Sequence, residues 1–162
     1  MNMIVRPATS ADVPALAASW KDTYQDFLEA TPTGFGGPMR TPDAGDWQAP
    51  WLEKILAELN HIVLVAERSR TVLGFTLGEI KRENDDFFEA PYLKIFHLSV
   101  DRSARRSGIG RALMERMEAI ARERGMKALD LDVPVRSNPA IRLYESLGLT
   151  PLTKRMAKLL EP

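Results

Sequence analysis

Two hydrophobic rhythms run along the chain, one with a period near 3.6 residues and one with a period of two. Val13, Leu16, Ala17, Trp20, Tyr24 and Phe27 recur at spacings of three and four, which predicts a helix with one apolar face. Thr9-x-x-Asp12, or Ser10, stands where that helix would be capped, after a short strand from Met3 to Pro7 that the proline ends. A proline- and glycine-rich stretch from Thr31 to Gly45 reads as a surface loop, and a second helix follows from near Gln48 to Leu59. Ile62 to Glu67 and Thr71 to Lys81 are rich in β-formers around Arg68-Ser69-Arg70 and predict a hairpin. After a polar loop from Glu83 to Pro91, Tyr92 to Val100 is the next strand. A helix from about Gly108 to Arg124 buries Leu113, Met117, Ile120 and Ala121 and stops at Gly125. Ala128 to Val133 alternates strictly, Leu129, Leu131 and Val133 facing one way and Asp130 and Asp132 the other. Asn138 and Pro139 open a helix, as cap and first-turn residue, that runs through Ile141, Leu143, Tyr144 and Leu147 to Gly148. Thr153 to Leu160 is expected to supply a last strand. The order β-α-α-β-β-β-α-β-α-β describes an α/β sandwich with a mixed sheet.

Composition narrows the classes. The 162 residues fit one domain over positions 1–162 with a substantial core. Lys plus Arg and Asp plus Glu balance at 22 each, so nothing draws the whole molecule to nucleic acid or an anionic membrane. Cysteine is absent, which removes disulfides, thiolate catalysis and thiolate zinc sites; with only His61 and His97, no metal is expected. No apolar run spans a bilayer and the start of the chain lacks a signal-peptide core, so a soluble, cytoplasmic protein is expected.

The candidate chemistry begins at Arg105-Arg106-Ser107-Gly108-Ile109-Gly110, a short turn between a strand and a helix. Glycines let the backbone approach a ligand closely, N–H groups converge there, and the helix end carries partial positive charge: a phosphate cradle. A dinucleotide-binding oxidoreductase would place Asp130 suitably after Gly108. Leu113, however, stands where its third glycine should be, and the connection from Val100 to Gly108 is too long for its tight turn. A nucleotide-hydrolysing P-loop would need Gly-Lys-Ser/Thr, which is missing.

Leu98-Ser99-Val100, Arg105-x-x-Gly108-x-Gly110 and Asn138-Pro139-Ala140-Ile141-Arg142-Leu143-Tyr144-Glu145-Ser146-Leu147-Gly148-Leu149 together resemble the GNAT superfamily of acyl-CoA-dependent N-acyltransferases. The Ile4-Val5-Arg6-Pro7-Ala8 start, Asp12 and the hairpin with Gly74 also fit, so the resemblance covers nearly the whole chain. It implies an α/β GNAT-like acyl-CoA N-acyltransferase fold, with a mixed, mostly antiparallel sheet flanked by helices and two splayed parallel central strands. It implies acetyl-CoA as cosubstrate, an amine acceptor attacking directly in a ternary complex, and leaves room for a homodimer. By the same resemblance, N–H groups from Arg105 through Arg106, Ser107, Gly108, Ile109 and Gly110 to Arg111 would hold the pyrophosphate. The backbone of Leu98 and Val100 would pair with the pantetheine arm, Asn138 would touch that arm, and Tyr144 would protonate the departing thiolate. A non-catalytic acyl-CoA-binding module on the same fold is the alternative.

The general base stays open. In the register set by Leu98-Ser99-Val100, Lys94 stands where the family often carries an acid or a histidine. Simple alternation puts His97 on the opposite strand face from Lys94, as a packed residue. Glu79, Tyr92, Asp132 or a water relay remain candidates. A free Lys94 ammonium would favour an acceptor bearing a carboxylate or phosphate.

Overall fold

The computed structural model describes residues 2–35 and 47–160. The part of the predicted Thr31–Gly45 loop from 36 to 45 lies outside them. The strands are β1 (Ile4–Pro7), β2 (His61–Arg68), β3 (Thr71–Lys81), β4 (Tyr92–Val100) and β5 (Leu129–Leu131). The helices are α1 (Val13–Ala30), α2 (Gln48–Ala57), α3 (Ile109–Glu123) and α4 (Asn138–Ser146). One sheet carries the strands in the order β1-β2-β3-β4-β5. Its first four strands pair antiparallel and β4 pairs β5 in parallel.

Period-two alternation along β2 and β3 sends side chains to two cores, one on each face of the sheet. Phe75, Leu77, Val63 and Val65 meet Val13 and Leu16 of α1 and Leu52 and Ile55 of α2. On the other face Leu64, Ile80, Leu93 and Ile95 meet Ile109, Leu113, Met114, Met117 and Ile120 of α3, with Tyr144 and Leu147 of α4 at the margin. Each fully buried Leu or Phe, such as Leu16, Leu113 or Phe75, contributes about 1.5–3 kcal/mol to holding the layers together. Arg6 of β1 ties the first strand to the first helix, donating to Asp12 at 2.8 Å and to Glu67 of β2 at 2.5 Å. Thr9 and Asp12 form a capping box on a short 3-10 turn that leads into α1, so the cap position of α1 itself falls to Asp12 and not to Thr9 or Ser10.

Three other expectations need correction. Thr153 to Leu160 forms no strand: the segment is exposed throughout and pairs with no neighbour. Its residues Lys154, Arg155 and Lys158 interrupt any apolar face that could pack on the sheet. Asn138 is the first residue of α4 rather than its cap. Ser137 occupies the cap position, its carbonyl accepting from the N–H of Ile141 at 3.0 Å. The third correction is to the parity of β4. Leu77 pairs with His97 but Gly78 pairs with Ile95, so Phe96 is an extra residue with no partner in β3. This β-bulge resets the alternation, and His97 ends on the same face as Lys94.

Candidate functional site

The bulge is also where the two parallel strands part. β5 pairs with β4 only from Leu93 to Ile95, opposite Leu129 to Leu131. Beyond that fork the β4 edge is open. The Asp101 N–H donates to the Leu73 carbonyl at 2.8 Å, and Ser99 lies opposite Phe75. Antiparallel ladders alternate, so the N–H and C=O groups of Leu98 and Val100 point away from β3, into the gap. The Val100 carbonyl accepts from Arg105 Nε at 3.1 Å. The sequence-level expectation that splayed strands expose Leu98 and Val100 therefore has its geometric basis in the bulge.

At the far end of the gap, the turn feeds α3. Arg106 has φ 61° and Gly108 φ 86°, both left-handed. A side chain on Gly108 would meet open space, so glycine is needed there for its backbone. Among the described residues, the N–H groups of Ser107, Gly108, Ile109, Gly110 and Arg111 have no hydrogen-bond acceptor. Such a run of unsatisfied donors at the start of a 15-residue helix suits the oxygens of a pyrophosphate. Gly110 answers a different demand. A Cβ there would lie 3.2 Å from Leu143, 3.7 Å from Val100 and 3.9 Å from Leu98. Its glycine lets α3 and α4 close on β4. Ile109 is wholly in the core.

The side chains around the turn mostly have other partners. Arg105 donates to Asp26 of α1 at 2.5 Å, and Arg102 donates to the same carboxylate at 2.8 Å. Ser107 Oγ donates to the Ala104 carbonyl at 2.5 Å. Arg111 reaches across to Ser146 of α4 at 2.7 Å. Arg106 and Asn138 are exposed and engage no described residue. The sequence placed Arg105 at the phosphates; the structure gives its guanidinium to Asp26 and leaves its backbone at the turn.

Tyr144 joins Leu98, Val100 and Ile109 around one apolar cluster. Its hydroxyl makes no hydrogen bond to a described residue, and burial pushes its pKa up to about 12. The ring is only partly buried, so the hydroxyl is still open to solvent or to a ligand.

On the opposite face of the fork, His97 stacks on Trp20 at 3.9 Å between centroids and on Phe75 at 4.8 Å. Its Nε2 is buried without a partner, and desolvation holds the ring well below its ordinary value, to about 3. It is packed, as expected, although on the other face. A ring so weakly basic does not take a proton from an alkylammonium near neutrality. Lys94 donates to Asp130 at 2.7 Å and to Asp132 at 2.9 Å. Although burial opposes its charge, these partners raise the Lys94 pKa overall. The expectation of a free cation for anionic acceptors fails, because two carboxylates already surround it. Asp132 is itself 87% exposed. Tyr92 donates to Asp85 at 3.0 Å. Of the candidate bases, Glu79 alone borders the cavity beside Phe96, which Trp20, Trp51, His61 and Leu77 complete. Trp20, Trp51 and Phe96 escaped sequence reasoning, because helix periodicity and strand composition account for them as core residues.

Among the described residues, no helix is long and apolar enough to cross a membrane and no group could hold a metal ion. The chain is 31% identical over 136 residues to the probable N-acetyltransferase camello of Xenopus laevis, covering 84% of this chain and 56% of that protein. It is 31% identical over 118 residues to the mycothiol acetyltransferase of Thermobispora bispora, covering 67% and 38%. The [ribosomal protein bS18]-alanine N-acetyltransferase of Escherichia coli K12 is 41% identical over 61 residues, 38% of this chain and 41% of that one. The chain thus spans roughly half or less of these relatives' lengths. Among solved structures, a mutant of the BH1408 protein of Bacillus halodurans superposes with TM-score 0.83 at 21% identity, covering 98% of this chain and 99% of that one. AAC(6')-Iy, bound to a bisubstrate analogue of CoA and acetylneamine, superposes with TM-score 0.76 at 15% identity, covering 100% and 99%. Both share the fold. The profile of the Acetyltransferase (GNAT) family matches residues 20–149, and this chain belongs to that family.

Proposed function

We propose that the chain is an N-acetyltransferase that moves the acetyl group of acetyl-CoA to a primary amine by direct attack. The observation that carries this reading is the run of unsatisfied N–H groups at the turn, at the end of the open edge of β4, with Tyr144 packed in the same apolar cluster as Leu98 and Val100. A pyrophosphate held by Ser107 to Arg111 would start a pantetheine arm that pairs with Val100 and then Leu98. Its sulfur end would then come to the fork at Phe96. Acetyl-CoA supplies the activated acyl group, and Asn138 would steady the arm from α4.

The chain's own task is the proton traffic. An alkylammonium with a pKa near 10.4 costs roughly 4.6 kcal/mol to deprotonate at pH 7. Once neutral, the amine nitrogen bonds to the carbonyl carbon, and collapse of the adduct breaks the carbon–sulfur bond. Tyr144 donates its phenolic proton to the sulfur; of the two protons the ammonium nitrogen loses, one returns through water to the Tyr144 phenolate and the other is released to solvent. Tyr144 is protonated throughout the neutral range, and because burial raises its pKa it gives the proton up only to a thiolate hydrogen-bonded to it.

Tyr144→Phe keeps the packing and removes the donor. We expect kcat to fall ~10-fold or more with CoA affinity unchanged, read by thiol release and by calorimetry. An unaltered kcat where chemistry limits turnover would return Tyr144 to a packing role. No heat with CoA would remove the reading altogether.

A further inference from the structure

The aromatic cavity at the fork has a composition that speaks to its occupant. Trp20, Trp51, Phe96 and Leu77 wall a space of about 260 Å³, with Glu79 and His61 as its polar members. Among the described residues that line it there is no Lys or Arg to receive a carboxylate or phosphate. The cations near it are already paired, Lys81 with Glu79 and Lys54 with Glu58. Lys94 is matched by both Asp130 and Asp132, and His61 sits 2.9 Å from Glu58.

The molecule also shows what this corner binds. The Lys81 ammonium lies 5.2 Å from the centroid of the Phe96 ring and 2.7 Å from Glu79 Oε2. A π face beside a carboxylate is the environment that attracts an alkylammonium. Glu79 Oε1 has only a long contact, 3.4 Å, from Asn60, so it can accept a further strong hydrogen bond. We propose that this cavity is the acceptor pocket and that it takes a compact monoamine with an apolar or aromatic body. Glu79 and the Phe96 ring receive the ammonium, and Trp20 and Trp51 hold the body. The proposal rests on the acetyltransferase reading, since that reading brings the thioester to the fork beside Phe96. Bulky polycationic sugars and amino acids are disfavoured, the former by volume and the latter because Lys81, at the rim, is already held by Glu79.

The test compares 2-phenylethylamine and hexylamine with kanamycin and phenylalanine as acceptors. Thiol release gives turnover, and calorimetry in the presence of CoA gives binding. The aryl and alkyl amines are expected to exceed the other two in kcat/KM by ~10-fold or more, the cost of one unmatched charge or one lost strong hydrogen bond. Glu79→Gln should raise KM and weaken calorimetric binding of 2-phenylethylamine by ~10-fold. Lys81→Met separates binding from scaffolding. If Glu79 only anchors Lys81, the two variants behave alike; if it receives substrate, Lys81→Met frees it and lowers KM. Preference for kanamycin or phenylalanine, or parallel effects of the two variants, overturns the pocket. Binding of 2-phenylethylamine without thiol release would instead preserve the pocket and refute the transferase reading. If 2-phenylethylamine neither binds nor reacts, the pocket assignment is wrong, whatever kanamycin does.

Discussion

A histidine held neutral by its surroundings makes folding depend on pH in a particular direction. His97 is pressed against Trp20 and Phe75, and its folded pKa is depressed to about 3. In the unfolded chain it binds a proton below about 6.5, which the native state refuses. Stability is therefore full above that value and declines as pH falls from about 6.5 toward 3, by up to ~1.4 kcal/mol per unit from this residue alone. His97→Phe preserves a flat ring against Trp20 and removes the titration. We expect urea unfolding between pH 7 and pH 4.5 to show a shallower loss of stability in the variant than in the parent. Equal slopes would mean that His97 protonates freely in the native state. The sequence located this histidine on its strand but gave it the wrong face, because an inserted residue is silent in a pattern of period two. Phe96 is apolar like its neighbours, and only its missing partner in β3 discloses it.

At the level of elements, the rhythm of the chain anticipated the five strands and four α-helices of the described residues to within a few residues, because their apolar stripes are strong. The tail failed for a reason of partnership. A strand exists only against another strand, and composition alone does not say whether Thr153 to Leu160 has one. The glycine turn was legible in the sequence as a strand-to-helix turn, but its two glycines serve different ends in the fold. Gly108 supplies a left-handed backbone, whereas Gly110 supplies contact between α3, α4 and β4. Gly110→Asp would thrust a carboxylate among Leu143, Val100 and Leu98. Its thermal midpoint should drop by several degrees, as a cost of about 1–3 kcal/mol implies, and its CoA affinity should fall with it. A variant that loses CoA binding at an unchanged midpoint would assign Gly110 to the phosphates instead.

Over the whole molecule, the two proposed ligand sites share a helix. Asp26, near the end of α1, is gripped by Arg102 and Arg105 at the turn, while Trp20 of the same helix walls the aromatic cavity. Buried hydroxyls add a second fastening, with Ser99 of β4 joined to Ser19 and to Thr23 of α1, the latter at 2.7 Å. Any ligand that fixes the turn restrains α1, and anything that fills the cavity restrains it from the other side. Thermodynamic reciprocity then requires each ligand to alter the other's affinity by the same factor. With the helix stiffened by the first arrival, the second meets a wall already in position and forfeits less freedom. We expect 2-phenylethylamine to bind more tightly with CoA present than without it, and Asp26→Asn to shrink that difference while leaving the cavity walls intact. The salt bridge at Asp26 would then be a hinge pin between the two halves of the reaction, making the doubly filled state more common than the two separate affinities alone would give.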